Sequence, residues 1–305
     1  MREPRATSRR TVLVVGEALI DIVEEGDHEE EFVGGSPANT AIGVARQGHT
    51  ARLLSCLGRD VRGERIAAHL SAESVDLLEE SWNAGFTSTA RARIEPDGGA
   101  KYVFDLEWTL PAVTLPAPDL LHVGSLGLYL EPGGAEVLRL LRELSGDCLV
   151  TIDPNARPSI MHDRDAAVEI FERAVGHAHL VKLSDEDSAW LYPGRPVEEV
   201  LEHLRSLGPR IAVMTLGADG ACGLSDAGHA RVAAVRVEVV DTISAGDSFM
   251  ATLIVALLEQ GLDAVAADLG EWLQRAACAS AIAVSEAGAN PPFRRALDTL
   301  HAASR

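Results

Sequence analysis

From residue 11 to about residue 225 the chain alternates short apolar runs with segments of helical length. The apolar runs are "TVLVVGEALIDIV", "ARLLSCLG", "LLHVGSL", "CLVTIDPN", "AHLVKLSD" and "RIAVMTLG". Between them lie "SPANTAIGVARQG", closed by Gly48, and then "GERIAAHLSAES", "GAEVLRLLREL", "RDAAVEIFERAV" and "PVEEVLEHLRSLG". Continuous apolar runs indicate strands covered on both faces. A helix between successive strands returns the chain to the same end of the sheet, so neighbouring strands run parallel. The pattern predicts an α/β chain built on a central, mainly parallel sheet with helices on both faces. "VRVEVV" reads as a further strand-like run, and two helices are predicted around "DSFMATLIVALLEQG" and "AADLGEWLQRAACASAIAVSEAG".

Two segments break this rhythm. "EEEFVGG" is one, and the other is "STARARIEP", Asp97-Gly98-Gly99 and "AKYVFDL", whose alternation around a turn predicts a hairpin. Together they predict a small β-sheet lid from about 24–36 and 87–108, inserted in one domain of 11–305. No Pro-, Gly- or Ser-rich linker divides the chain. Residues 1–10 read as a disordered basic tail, because "TVLVV" is too short for a secretory apolar region.

Charge narrows the partners. The chain has 27 basic and 46 acidic residues, a net charge of −19. It has no basic surplus to neutralise nucleic acid or an anionic membrane. No uncharged apolar run reaches the ~18 residues of a membrane span. Cys56, Cys148, Cys222 and Cys278 are scattered without a C-x-x-C, and read as free thiols of a reducing, cytoplasmic setting. His122, His162, His177 and His179 lack the spacing of a zinc site. Lys101 and Lys182 are the only lysines, and no glycine-rich loop ends in Gly-Lys, so a Walker A loop is absent. "VVGEALID" lacks G-x-G-x-x-G, which argues against a dinucleotide-binding dehydrogenase.

"DTISAGDSF", residues 241–249, leads into a helix. A helix N-terminus carries unpaired N–H groups and about half a positive charge. Ser244, Ala245 and Gly246 are small enough to let an anion approach that backbone. An N-cap turn with Asp247 in the first helical turn is one reading; an anion hole beside a general base is the other.

"GGSPANTAIGVARQG" and "DTISAGDSF", in that order, resemble the two signatures of the PfkB, or ribokinase-like, carbohydrate kinases. The resemblance runs over about residues 12 to 295, and "GEALIDIV", "DPNARP" and "VKLSDEDSAWL" are similar to the fructokinase branch. It implies a ribokinase-like fold and ATP-dependent phosphorylation of a sugar hydroxyl, with fructose as the sugar. Ribose, 2-keto-3-deoxygluconate, or a non-catalytic sugar or nucleotide sensor are the alternatives. It implies Asp247 as the general base, with Ala245 and Gly246 donating N–H groups to phosphate. Asp21, Gly34, Gly35 and Asn39 would bind sugar or hinge the lid, and Ser184, Thr215, Leu216, Gly217 and Gly220 would bind nucleotide. A monovalent cation, potassium, would sit at Asp241, Ile243, Ala283, Glu286 and Gly288. Magnesium would arrive with ATP, linked to Asp187 or Glu186. The lid also offers a homodimer contact.

Two departures stand out. Where the family more often has the first glycine of Gly-Ala-Gly-Asp, this chain has Ser244, so the turn is expected to survive if its backbone angle is not glycine-like. Where the family has Asn-x-x-Glu, this chain reads Ser184-Asp185-Glu186-Asp187. Arg157 reads as a ligand contact or a turn salt bridge. Lys182 reads as a lysine near the nucleotide phosphates or as a surface lysine at a strand end, the second being preferred. Trp108, in "FDLEWTLP", reads as packing or as a lining of the lid's sugar face.

Overall fold

The computed structural model describes residues 9–26, 28–94 and 100–304. The Asp97-Gly98-Gly99 turn and residues 1–8 of the expected tail lie outside the described residues. The chain begins β1 (Thr11–Val15), β2 (Leu19–Glu25), β3 (His28–Gly34), α1 (Ser36–Arg46), β4 (Thr50–Leu54), α2 (Val61–Ala72) and β5 (Val75–Leu77). It continues β6 (Thr89–Ile94), β7 (Ala100–Asp105), β8 (Leu120–Gly124), α3 (Leu126–Tyr129), α4 (Gly133–Leu144), β9 (Leu149–Asp153) and α5 (Arg164–Val175). Then come β10 (Leu180–Ser184), α6 (Asp185–Leu191), α7 (Val197–Ser206), β11 (Ile211–Thr215), β12 (Ala221–Ser225) and β13 (Gly228–Val232). The last elements are α8 (Ala245–Gln260), α9 (Leu262–Ala267), α10 (Leu269–Val284) and α11 (Arg294–Ala303).

A nine-stranded sheet runs β13-β12-β11-β10-β9-β8-β1-β4-β5. From β5 through β11 every neighbour is parallel, and β12 and β13 close the edge as an antiparallel hairpin. β1 shows why the runs are continuously apolar. Val12 and Val14 enter one core with α1, α2, α8 and α10, while Leu13 and Val15 enter the other with α4, α5 and α7. Each fully buried Val or Leu contributes about 1.5–3 kcal/mol.

The second sheet has four strands, β3-β2-β6-β7. "TVLVVGEALIDIV" is therefore two strands. The ladder of β1 ends at Val15; the Ala18 N–H bonds Ser55 Oγ, and Ile20 donates to Ser88 O in the second sheet. The small sheet thus begins at Leu19 rather than near residue 24, and Asp21 lies in it rather than at the end of the first strand. "VRVEVV" forms no strand: Val237, Val239 and Val240 are exposed beyond the end of β13. Four helices follow it instead of two. The β12–β13 hairpin, "ACGLS" and "GHARV" around Asp226-Ala227, was open to reading from its turn residues. No helix among the described residues is long and apolar enough to cross a membrane.

Candidate active site

Parallel strands deliver their carboxyl ends to one edge of a sheet, where α/β proteins place their sites. Here that edge carries Glu17 after β1, Ser125 after β8, Asp153 in β9, Ser184 in β10 and Thr215 in β11. Ser125, Asn155 and Ser244, all near it, have left-handed φ of 54°, 38° and 61°. Such conformations cost about 1–3 kcal/mol each in non-glycine residues and gather where function needs them. Ser244 answers the question its sequence raised: the angle is glycine-like, and the turn forms with serine held in it.

α1 and α8 lie side by side. Gly43 faces Ala251 so closely that a Cβ on Gly43 would stand 2.7 Å from the alanine methyl. One turn earlier in each helix, Asn39 Nδ2 donates to Asp247 Oδ2 at 2.9 Å. Ser36 Oγ donates to Asp247 Oδ1 at 2.6 Å. Both oxygens of a buried carboxylate are thus held by the first turn of α1. Burial pushes the Asp247 carboxyl above its ordinary range, while Ser36, Asn39, Lys182 and Arg157 pull it back. Ser36 was not among the residues singled out from the sequence.

Gly34 and Gly35 join β3 to α1. Gly35 has φ 112°, and a side chain on it would meet Glu17 O at 2.5 Å. A Cβ on Gly34 would overlap the Asp21 carboxylate, so glycine there gives that carboxylate its room. Burial raises the Asp21 carboxyl to about 6, opposed by the Arg157 charge. Arg157 acts on Glu17, Asp21 and Asp247 alike, which brings the small sheet, the edge of β1 and α8 around one space. Its guanidinium bonds Asn155 Oδ1 at 2.7 Å and the carbonyls of Asn155 and Ala156, and among the described residues it forms no ion pair. The turn salt bridge is therefore not what holds it. Glu17 Oε2 accepts the Gly127 N–H at 3.0 Å, and burial raises its carboxyl to about 7.

Lys182 is the main correction. It is 3% exposed, and its Nζ donates to Asp153 Oδ2 at 2.6 Å. The register explains this: Val181 pairs with Ile152, so the next residues face each other across β9 and β10. Burial pulls the ammonium down, but Asp153, Asp187 and Asp247 outweigh it and hold it above the usual lysine range. Burial raises Asp153 to about 6, opposed first by Lys182, so the pair is charged at neutral pH.

Ser184 and Thr215 are register partners at the ends of β10 and β11. Leu216, Gly217 and Gly220 form the turn into β12, with positive φ at both glycines. Asp187 is taken up structurally. Its Oδ1 accepts the Ala156 N–H, and its Oδ2 accepts the N–H and hydroxyl of Ser184, in a capping box on α6. With its oxygens engaged it is a poor magnesium link, whereas Glu186 is exposed beside it. No cluster of three or more His, Cys, Asp or Glu suited to a metal ion occurs among the described residues.

The five candidate cation positions lie on two joined segments. Asp241 Oδ1 accepts the Ile243 N–H at 3.0 Å and its Oδ2 the Gly288 N–H at 2.9 Å, while Val240 and Asp241 donate to Val284 O. Glu286 donates its N–H to Ala283 O and accepts from Asn290. Carbonyl oxygens in such loops suit a weakly hydrated monovalent cation. Trp108 is core rather than sugar lining: it is 5% exposed and its indole N–H donates to Gly127 O at 2.9 Å. All four cysteines are free, and Cys148 is only half-buried.

The model of the pfkB family carbohydrate kinases matches residues 9–295. A fructokinase of Rhizobium leguminosarum bv. trifolii is 30% identical over 259 residues, covering 81% of this chain and 79% of that protein. An aminoimidazole riboside kinase of Salmonella typhimurium is 28% identical over 302 residues, covering 94% of each. Among solved structures, the aminoimidazole riboside kinase of Salmonella enterica, complexed with aminoimidazole riboside and an ATP analog, superposes with a TM-score of 0.81 at 27% identity, over 95% of this chain and 99% of that one. A double-mutant fructokinase of Vibrio cholerae O395 with bound fructose, ADP and potassium gives 0.81 at 25% identity, over 98% and 99%.

Proposed function

The chain belongs to the pfkB family of carbohydrate kinases, and on that premise we propose that this sugar kinase phosphorylates a hydroxyl of fructose with ATP. The observation that carries the reading is the grip of Ser36 and Asn39 on Asp247. It fixes a buried carboxylate in the first turn of α8, against the helix that leads out of the Gly34–Gly35 hinge.

The sugar lies between Asp21 on the small sheet and Asp247 on α8. A carboxylate accepts two hydroxyls at once and Asn39 offers both donor and acceptor, which suits a neutral polyol. Asp247 takes the proton of the attacking hydroxyl as the oxygen–phosphorus bond forms. Charge on the transferring group meets the N–H groups of Ala245 and Gly246 at the positive end of α8. The Ala245 N–H is only loosely engaged, 3.4 Å from Thr242 O. Ser184, Thr215, Leu216, Gly217 and Gly220 form the nucleotide side.

Glu186 is the carboxylate that would hold a water of magnesium arriving with ATP, and the ion would supply charge neutralisation on the phosphates. Potassium at Asp241, Ile243, Ala283, Glu286 and Gly288 would stiffen the turn into α8. The small sheet acts as a lid, hinged at Gly34 and Gly35, that excludes water from the phosphoryl group.

Fructose is favoured by the fructokinase relative, and an aminoimidazole riboside is the second reading because such kinases match at similar identity. A coupled ADP-release assay over fructose, ribose, 2-keto-3-deoxygluconate and aminoimidazole riboside tests this. Fructose is expected to give the highest kcat/KM; a higher value for another member of the panel overturns the substrate.

A further inference from the structure

The small sheet carries Asp21, so whatever holds that sheet sets where the carboxylate stands. Its tie to the main body is built on the first turns of α2. Ile20 and Ile22 of β2 share an apolar core with Ile66 and Leu70 of α2. At the start of that helix Asp60 Oδ1 accepts the Gly63 N–H and the Thr87 hydroxyl, each at 2.8 Å, and Oδ2 accepts the Thr87 N–H at 2.8 Å, just before β6 begins. Arg62 and Arg65 then reach across to β3, the edge strand of the small sheet. Arg62 Nε and Nη2 both donate to Glu31 Oε1, at 2.9 and 2.5 Å. Arg65 Nη1 donates to Glu31 Oε2 at 3.3 Å, and its Nη2 donates to the Glu31 carbonyl at 2.5 Å.

Both carboxylate oxygens and the main-chain oxygen of one residue are thus held by two arginines about one helical turn apart. An edge strand leaves a row of backbone groups without a ladder partner, and Arg65 takes one of them. The register gives this grip its meaning. Glu31 pairs with Ile22, and the next residue, Phe32, pairs with Asp21. The arginines therefore hold β3 one row from Asp21 and a few residues before the Gly34–Gly35 hinge. Farther out, Arg91 bonds Glu24 and Glu29, and Arg93 bonds Glu24, pairs that join strands of the small sheet to one another. The Glu31 side chain is 24% exposed and those of Arg62 and Arg65 are 37% and 48% exposed, so water and salt reach this link.

We propose that Arg62 and Arg65 are positioning residues that act through Glu31, forming an ionic latch that holds the small sheet in its sugar-binding position and so sets sugar affinity. Without the latch the sheet spends part of its time away from α2 and takes Asp21 with it. Apparent sugar affinity then falls by the fraction of molecules in the competent position. Saturating sugar draws the sheet back, so turnover is spared. Neither arginine touches the reacting atoms.

The role rests on the reading that Asp21 binds sugar, but not on which sugar is used. The test is Arg62→Gln with Arg65→Gln, checked for folding by thermal unfolding. With whichever sugar the wild type phosphorylates best, the sugar KM is expected to rise about fivefold, equivalent to about 1 kcal/mol, while kcat and the KM for ATP stay within about twofold. Amide hydrogen exchange of the sugar-free protein is expected to quicken in β2 and β3 and to stay as in the wild type in β1 and α8. Adding about 0.5 M tetramethylammonium chloride at constant potassium is expected to raise the sugar KM of the wild type and to leave that of the variant unchanged. Arg62→Glu with Arg65→Glu is expected to raise KM further, and adding Glu31→Arg to bring it back toward the wild type, because the pair reforms with its signs exchanged. An unchanged or lower sugar KM in the folded glutamine variant overturns the proposal, as does β3 exchange as slow as in the wild type. A different preferred sugar overturns only the fructose reading, because KM is compared for one sugar in both proteins and the exchange measurement uses none.

Discussion

Replacing Ser36 by alanine isolates one of the two bonds that hold Asp247. The hydroxyl donates to Asp247 Oδ1 at 2.6 Å. A hydrogen bond to a charged group is worth about 1.5–3 kcal/mol. One pKa unit is about 1.4 kcal/mol, so full loss of the bond corresponds to about 1–2 units. Ser36 is half-buried and water replaces part of the bond, which leaves about one unit. The sign follows from the chemistry. Asp247 works ionised; burial raises its carboxyl; Ser36, Asn39, Lys182 and Arg157 lower it, and Asp153 is the acid facing Lys182 alongside. Removing Ser36 raises it further, so a higher pH is needed for ionisation. In a coupled ADP-release assay from about pH 5 to 9, the acid limb of kcat is expected to move up by about one unit, with the alkaline plateau unchanged. An unmoved acid limb refutes the idea that Ser36 tunes the base. A lowered plateau with an unmoved limb also refutes it, and assigns the hydroxyl to sugar contact.

Gly34→Ala places a methyl group in the space of the Asp21 carboxylate, so the sugar KM is expected to rise about tenfold or more while ATP affinity holds, as steady-state kinetics would show. Arg46 bridges Glu73 at 2.7 Å, Pro291 O at 2.6 Å and the ring of Phe293 at 4.6 Å, and so ties α1 to the segment after α10. Arg46→Met is expected to cost about 2–3 kcal/mol in urea unfolding; an unchanged midpoint would show that the bridge is idle. Potassium added at constant ionic strength is expected to raise kcat more than sodium or lithium does, and no response after exchange into a bulky organic cation would remove the cation assignment.

The parallel sheet was legible because its inner strands bury both faces, which writes itself as an unbroken apolar run, as Val12 to Val15 show. The site motifs were legible because small residues and acids stand at fixed places around two helix starts. The rest depended on what the chain meets in space. Nothing local in "TVLVVGEALIDIV" marks the change of sheets at Gly16, which is fixed by partners near Ser55 and Ser88. "VRVEVV" alternates like a strand but runs past the last ladder, so Val237, Val239 and Val240 stay exposed. Lys182 looked like a surface lysine because its partner, Asp153, is on another strand. Ser36 gave no signal, because its bond crosses from the first signature to the second. Of the two acids offered for magnesium, Asp187 is taken up by a capping box and by the Ala156 N–H, a partner distant in sequence.

The central claim is that the first-turn carboxylate of α8 takes the proton from the sugar. Asp247→Asn keeps the shape of the side chain and its neighbours while removing the base. Single-turnover phosphoryl transfer from labelled ATP measures the chemical step alone. A loss of at least ~10²-fold is expected in that step, with ATP and sugar affinities close to those of the wild type. A transfer rate near that of the wild type would contradict it.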